Sequence, residues 1–382
     1  MNRNWKMVMV AGIVLPGAVS LVVLASSVAA LTKPAVAHAL RGSLELSARM
    51  AVDRAAHTAT ALPDGRVLVA GGFVEKGSPV GAELYDLVTG RFSAVAPMLE
   101  TRHSHSATLL PDGTVLIAGG YGAGTTTLQA AELFDPRTQT FTRTGSLVSA
   151  RADHIAVLLD NGRVLIAGGL GPGWTFLSSA EVYDPATRSF SPTGGMTVAR
   201  ESHAAVSLED GRVFIAGGHR GRRADIVLHA SAEVYDISTG TFTRVGDMGV
   251  RRHKHDAVRL RDGRVLVTGG ADERDSDGVY DTTELFDPAT GTFTPGPSMV
   301  LPRYKHEGAS LLLANGTVLI AGGAPQAETF DPARQRFTLV AGAPRMAGLF
   351  AAVAPLGPGG ALITGGYGQG QGPQASAWVY RP

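Results

Sequence analysis

The sequence predicts an all-β fold, a ring of seven four-stranded blades forming a β-propeller. Three observations carry this. The stretch DGRVLVAGG at 64–72 returns as DGTVLIAGG at 112–120 and NGRVLIAGG at 161–169; further copies end at Gly218, Gly270 and Gly323, and a worn one, GGALITGG, ends at Gly366. The glycine pairs are spaced by 48, 49, 49, 52, 53 and 43 residues, a period that marks a repeat architecture. The composition, with 49 glycines and only 6% aromatic residues, suits many short strands joined by tight turns.

The first 39 residues differ from the rest. MNRNWK supplies Arg3 and Lys6 with no acid, an apolar stretch runs from Met7 to about Leu31, and AVAHA offers an A-x-A site at Ala37 and Ala39. This layout predicts a secretory signal peptide over 1–39, cleaved near Ala39, and a single propeller domain over 40–382. The alternative is an uncleaved membrane anchor, since the apolar run reaches the roughly 20 residues that span a bilayer. The expected destination is periplasmic or extracellular. Without residues 1–39 the chain carries 31 basic and 33 acidic residues, which gives no footprint for nucleic acid or an anionic membrane. There is no cysteine, so no disulfide can staple the fold.

Residues 151–196 show one whole unit. HIAVLL is strand a. The Asn-Gly that follows predicts a two-residue hairpin. RVLIAGG is strand b, a buried apolar run. A variable loop leads to AEVYD, strand c; DPAT turns the chain, with proline fixing φ, and strand d runs through Phe190. The glycine pair implies a close backbone approach that a side chain would block.

The glycine pair after an apolar strand, the downstream [YF]-D and an aromatic six or seven residues later resemble kelch repeats over nearly all of 43–382. The later aromatic is Phe here (Phe92, Phe141, Phe190, Phe242, Phe293, Phe337) where kelch repeats often have Trp. The C-terminal unit stops at SAWVYRP, after its strand c. LELSARMAVDRAAH (44–57) aligns with FSAVAPMLETRHSH (92–105), which makes residues 44–50 the missing outer strand and closes the seventh blade with both chain ends.

Strand alternation puts the b–c loops and the d–a connectors on one face. The b–c loops vary from four residues (324–327) to 14 (219–232), so any site is expected there. The connectors carry R-x-x-H six times, including Arg102/His105 and Arg151/His154. A feature present in nearly every blade serves the blade, and no metal is expected. The seventh unit reads as keeping Arg345 while Gly348 replaces His and Trp378 replaces the Glu found in the others, among them Glu132 and Glu181. This predicts that each His bonds a Glu, or that both satisfy the Arg.

Blades 5 and 6 differ from the rest: RRHKHD (251–256) and RYKHE (303–307). Arg251, His253, Lys254, Tyr304, Lys305, Asp256 and Glu307 are the candidate ligand-binding residues, a polar pocket for an anionic sugar or carboxylate with Tyr304 as a stacking face. The competing reading is a solvated rim with local Lys–Asp and Lys–Glu pairs. The basic loop 219–229 and the acidic loop 271–281 are expected to pair with each other. DSDG (275–278) matches part of a calcium loop but lacks its spacing and distal Glu. The glycine-rich stretches lead into no helix that could hold a phosphate.

The resemblance implies a monomeric binding or scaffold module for a protein or glycan partner, without cofactor. Kelch-like galactose oxidase uses a cysteine cross-linked to a tyrosine, which a chain without cysteine cannot supply. A kelch epimerase or mutarotase acting on a sugar acid is the alternative, with its acid–base groups in the blade 5 and 6 cluster.

Overall fold

The computed structural model describes residues 42–75, 81–342, 346, 348–357, 359–368 and 370–382. Residues 1–39, where a signal peptide is expected, lie outside the described residues, as do Arg345 and Ala347. The chain forms seven antiparallel four-stranded blades in the order a-b-c-d from the axis outward. Blade 1 comprises Thr58–Ala61, Val67–Ala70, Ala82–Asp86 and Arg91–Ala94, and the next five repeat this plan. Blade 7 takes its a, b and c strands from Ala352–Leu356, Gly360–Thr364 and Ala377–Arg381, and its d strand from Ser43–Leu46. Leu44 pairs with Tyr380, as the alignment of 44–57 with 92–105 requires. Each a strand lies beside the next, and Ala352–Leu356 lies beside Thr58–Ala61, so the ring closes.

The b strands are apolar without alternation because both faces are covered. Leu68 packs toward blade 2 against Val115 and Ile117, while Val67 and Val69 pack toward blade 7 against Leu362 and Val379. Burying each such side chain stabilises the fold by roughly 1.5–3 kcal/mol. The [YF]-D…F spacing is a cross-strand aromatic pair joining strands c and d. Tyr85 faces Phe92 with ring centroids 4.9 Å apart, and Tyr183 faces Phe190 at 4.7 Å.

The a–b turns differ from the expected two-residue hairpin. Leu62 donates to Arg66 and Gly65 donates back to Leu62, which leaves the three-residue loop 63–65. In that loop Gly65 has φ +85° while Asp64 has no positive φ. This is a type I turn followed by one left-handed glycine, whereas a two-residue type I′ turn needs two such residues. The Asp64 carboxylate locks it by accepting the Arg66 amide at 3.0 Å.

Candidate functional site

Six buried arginines frame the channel wall. Arg54 donates to the Gly71 carbonyl at 2.8 Å and to Glu83 at 2.7 Å; Arg102 repeats this with Gly119 and Glu132, and Arg151 with Gly168 and Glu181. The other oxygen of each Glu accepts an amide of the preceding connector, as Glu132 does from Leu99 at 2.7 Å. Burial lowers the guanidinium pKa values, and the paired carboxylates oppose that. The Arg–Glu half of the sequence expectation therefore holds.

The histidines do something else. His57 bonds Thr364 of blade 7 at 2.8 Å, His105 bonds Thr58 of blade 1 at 3.1 Å, and His154 bonds Ser106 of blade 2 at 3.0 Å. Each ring leans on the preceding blade, against the first glycine of its pair. A β-carbon on Gly119 would sit 2.8 Å from His154 Cε1. Burial drives the imidazoles toward the neutral form, with His154 and His306 pushed down to about 3.

Blade 7 corrects the sequence alignment. The second glycine of each pair donates to the carbonyl of the next blade's motif Arg, as Gly72 does to Arg102 at 2.9 Å and Gly366 to Arg54 at 2.9 Å; Gly323 donates to Gly348 at 2.7 Å. Gly348 therefore holds the Arg place and Ala351 the His place, three residues later than Arg345 suggests. Arg, His and Glu are all replaced together. Gly322, which faces this blade, is the one first glycine without a positive φ; its six counterparts lie between +59° and +69°.

Two residues beyond each motif Arg, the chain turns left-handed in all seven blades: Ala56, Ser104, Asp153, Ser202, Lys254, Lys305 and Phe350 have φ from +49° to +54°. Their backbones bond in six of the seven steps around the axis, all but the one from Ser202 to Asp153. Ser104 donates to Ala56 at 3.0 Å, Lys305 to Lys254 at 2.9 Å, Phe350 to Lys305 at 2.8 Å and Ala56 to Phe350 at 3.1 Å. Beneath this collar is a cavity of about 240 Å³ lined by Asp153, Glu307, Ser104, Ser202 and the rings of His57, His105, His154, His203 and Phe350.

Glu307 enters the cavity through an insertion. In the other five motif blades His precedes the first glycine by 14 residues, but 16 separate His306 from Gly322. The two extra residues, Glu307 and Gly308, bulge from the inner edge before Ser310–Leu312. Asp256 of blade 5 braces the bulge by accepting the amides of Gly308 at 3.0 Å and Ser310 at 2.7 Å. Burial pushes the Glu307 carboxyl up to about 8, and burial with the nearby Glu201 charge pushes Asp153 up to about 6.

The other blade 5 and 6 candidates are dispersed. Arg251 is exposed at the rim, 3.6 Å from Glu273. His253 is buried with its Nδ1 3.2 Å from that of His219. Lys254 bonds Asp275 at 2.7 Å, and Lys305 bonds the Tyr367 hydroxyl at 2.9 Å. Tyr304 packs against Ala271 and Leu349 and offers no free stacking face. Asp256 is a brace between blades, not a pocket wall. No described ion pair joins the loops 219–229 and 271–281: the acidic one takes Arg251, Lys254 and its own Arg274, and Arg222 of the basic one covers the Trp174 ring at 3.4 Å.

Aromatic side chains form an arc around the mouth. Phe350, Tyr367, Phe73, His103, Tyr121 and Trp174 follow one another with ring centroids 5.2–6.3 Å apart, and Trp174 is 48% exposed. Nothing in the repeat marks this arc, because its members come from both the connectors and the b–c loops and share no motif position.

A model of the KLHDC2/KLHL20/DRC7 Kelch-repeats domain matches residues 56–270. Among solved structures, a fungal alcohol oxidase of the AA5 family in complex with copper is 15% identical, covering 89% of this chain and 76% of its own with a TM-score of 0.69. YjhT is 14% identical, covering 77% of this chain and 99% of its own with a TM-score of 0.61. At these identities the likeness is one of fold. No curated protein matches the chain. The copper belongs to the oxidase: among the described residues here, no group of three or more His, Cys, Asp or Glu side chains is placed to hold a metal.

Proposed function

From the premise that this chain belongs to the kelch-repeat domain family, whose propellers generally mediate protein interactions, we propose that it is an exported binding module that docks a protein partner on the b–c loop face. The observation that carries this reading is the exposed Trp174, capped by Arg222 at the end of the aromatic arc. Trp, Tyr and Arg are the side chains that dominate binding energy at interfaces, because they bury large area at low entropic cost. The loop that carries Trp174 is pinned by backbone bonds from Leu170 to Ala152 and from Gly171 to Thr175, which limits the ordering that binding must impose. A glycan would use the same face by stacking on the rings.

The test is an array experiment. The full chain and its Trp174→Ala/Arg222→Ala variant are applied to peptide and glycan arrays, and hits are measured in solution by calorimetry. The reading expects at least one ligand that binds the parent and loses tenfold or more with the variant. Ligands held equally by both proteins would remove the loop face from the account.

Glu307 and Asp153 support a second reading. Carboxyl groups poised near neutrality suit general acid–base work, as a sugar-acid epimerase or mutarotase would need. Anomer exchange of sugar acids followed by NMR, in the parent and in Glu307→Gln, decides it. Rates equal to the uncatalysed exchange would dismiss catalysis.

A further inference from the structure

The cavity under the collar has a lopsided chemistry. Its lining includes two carboxyl groups, Asp153 and Glu307, and no lysine or arginine. The histidines of the lining are buried and held toward the neutral form, so they add no positive charge; the Nδ1 of His105 faces the glycine pair of the preceding blade, 3.3 Å from the β-carbon position of Gly71. Glu307 Oε2 has no partner among the described residues and is shut off from solvent. An unpartnered buried carboxyl oxygen is costly, and a bulge braced by Asp256 holds it in place. The nearby cations are committed elsewhere: Lys254 to Asp275 and Lys305 to Tyr367.

We propose that this cavity is a binding site for an organic ammonium group, with Glu307 and Asp153 as its counter-charges. An alkylammonium offers three donors and one positive charge, and the pocket supplies acceptors and acids. About 240 Å³ holds several times the roughly 30 Å³ share of one water, enough for an aminoalkyl chain. Phe350 also lines the cavity, and its ring already faces the Lys305 ammonium at 5.6 Å, which shows that it accepts a cation. The proposal rests on the docking face described above, and it names the chemistry that face receives at its centre: either a free diamine or a lysine side chain of the partner.

Binding would depend on pH because the site must be ionised. The charged groups facing Glu307 are Lys254, Asp153 and Asp256, with Tyr367 also close; those facing Asp153 are Glu201, Lys254 and Tyr121. Since Glu307 titrates at about 8 and Asp153 at about 6, affinity rises with pH from 6 to 9 and protons are released on binding.

The experiment is calorimetry on the full chain with 1,4-diaminobutane, Nα-acetyl-lysine methylamide and n-butanol at pH 6, 7.5 and 9. The expected result is binding of an amine but not of butanol, at least tenfold tighter at pH 9 than at pH 6, with Glu307→Gln and Asp153→Asn each flattening the pH dependence. Preference for the diamine identifies a free amine as ligand, and preference for the lysine amide identifies a partner side chain. No amine binding at pH 9, or binding unchanged in both correctly melting variants, overturns the proposal. If amines fail while Trp174-dependent array ligands persist, the ammonium site is wrong and the docking face stands.

Discussion

The imidazole of His105 fills the space that a β-carbon on Gly71 would need: such an atom would lie 2.6 Å from His105 Cε1 and 2.5 Å from the Arg102 carbonyl oxygen. Glycine in one blade and histidine in the next are thus two halves of one contact, repeated around the ring. Gly71 also has φ +65°. Gly71→Ala is expected to cost about 3 kcal/mol or more, adding left-handed strain to overlap. Gly65→Ala has φ +85° but open space around it and should cost only about 1–2 kcal/mol. Thermal melting of both variants checks the contrast.

The buried pair Arg200–Glu233, at 2.9 Å, can be broken from either side. Arg200→Met strands a carboxylate in the wall and should cost about 3–5 kcal/mol. The double variant Arg200→Met/Glu233→Leu removes the stranded charge and should be less damaged than the sum of its parts. A double-mutant cycle in denaturant reads this directly.

Acid should loosen the ring through its histidines. His154 and His306 titrate at about 3 when folded and near 6.5 when unfolded, so the unfolded chain binds more protons below pH 6.5 and stability falls as pH falls. Each contributes a loss on the order of 2 kcal/mol between pH 6.5 and 5. Glu307 has the opposite sign, because its raised pKa makes the fold less stable as pH rises through 5 to 8. Melting temperature against pH should therefore drop on the acid side for the parent and drop less for His154→Gln. Glu307→Gln should lose the decline on the alkaline side.

Closure by the N-terminal strand is equally exposed to test. Leu44 is 4% exposed and faces Tyr380. Leu44→Asp buries a charge and unseats Ser43–Leu46, leaving the c strand of blade 7 as a free edge. A fall of several degrees in melting temperature and concentration-dependent association in light scattering are the expected results. Melting and scattering unchanged from the parent would show that the strand is dispensable.

The fold was legible because seven near-copies say the same thing, and Leu44 could be placed opposite the last strand by alignment alone. Glu307 was legible in part: it stood among the polar candidates of blades 5 and 6, but its meaning lay in the 16-residue spacing from His306 to Gly322. The seventh blade misled because Arg345 imitates an anchor whose true place Gly348 holds. The Trp174–Arg222 stack could not be read at all, since it joins loops of two blades that share no motif. Tyr304 looked like a ligand platform because sequence shows residue type and not the direction a side chain takes.

The collar has a consequence for how such a protein changes over time. Its joints are backbone to backbone, so they do not depend on which side chain stands at each place. Read around the axis, the seven places spell Ala, Ser, Asp, Ser, Lys, Lys, Phe. Each letter can be rewritten without breaking the backbone joints, within the limits of a left-handed turn, while Ser104 with Asp153 and Lys305 with Phe350 also meet through their side chains. The mouth is in this sense a dial with seven settings, some of them geared in pairs, and a lineage moves from one ligand to another by turning one or two.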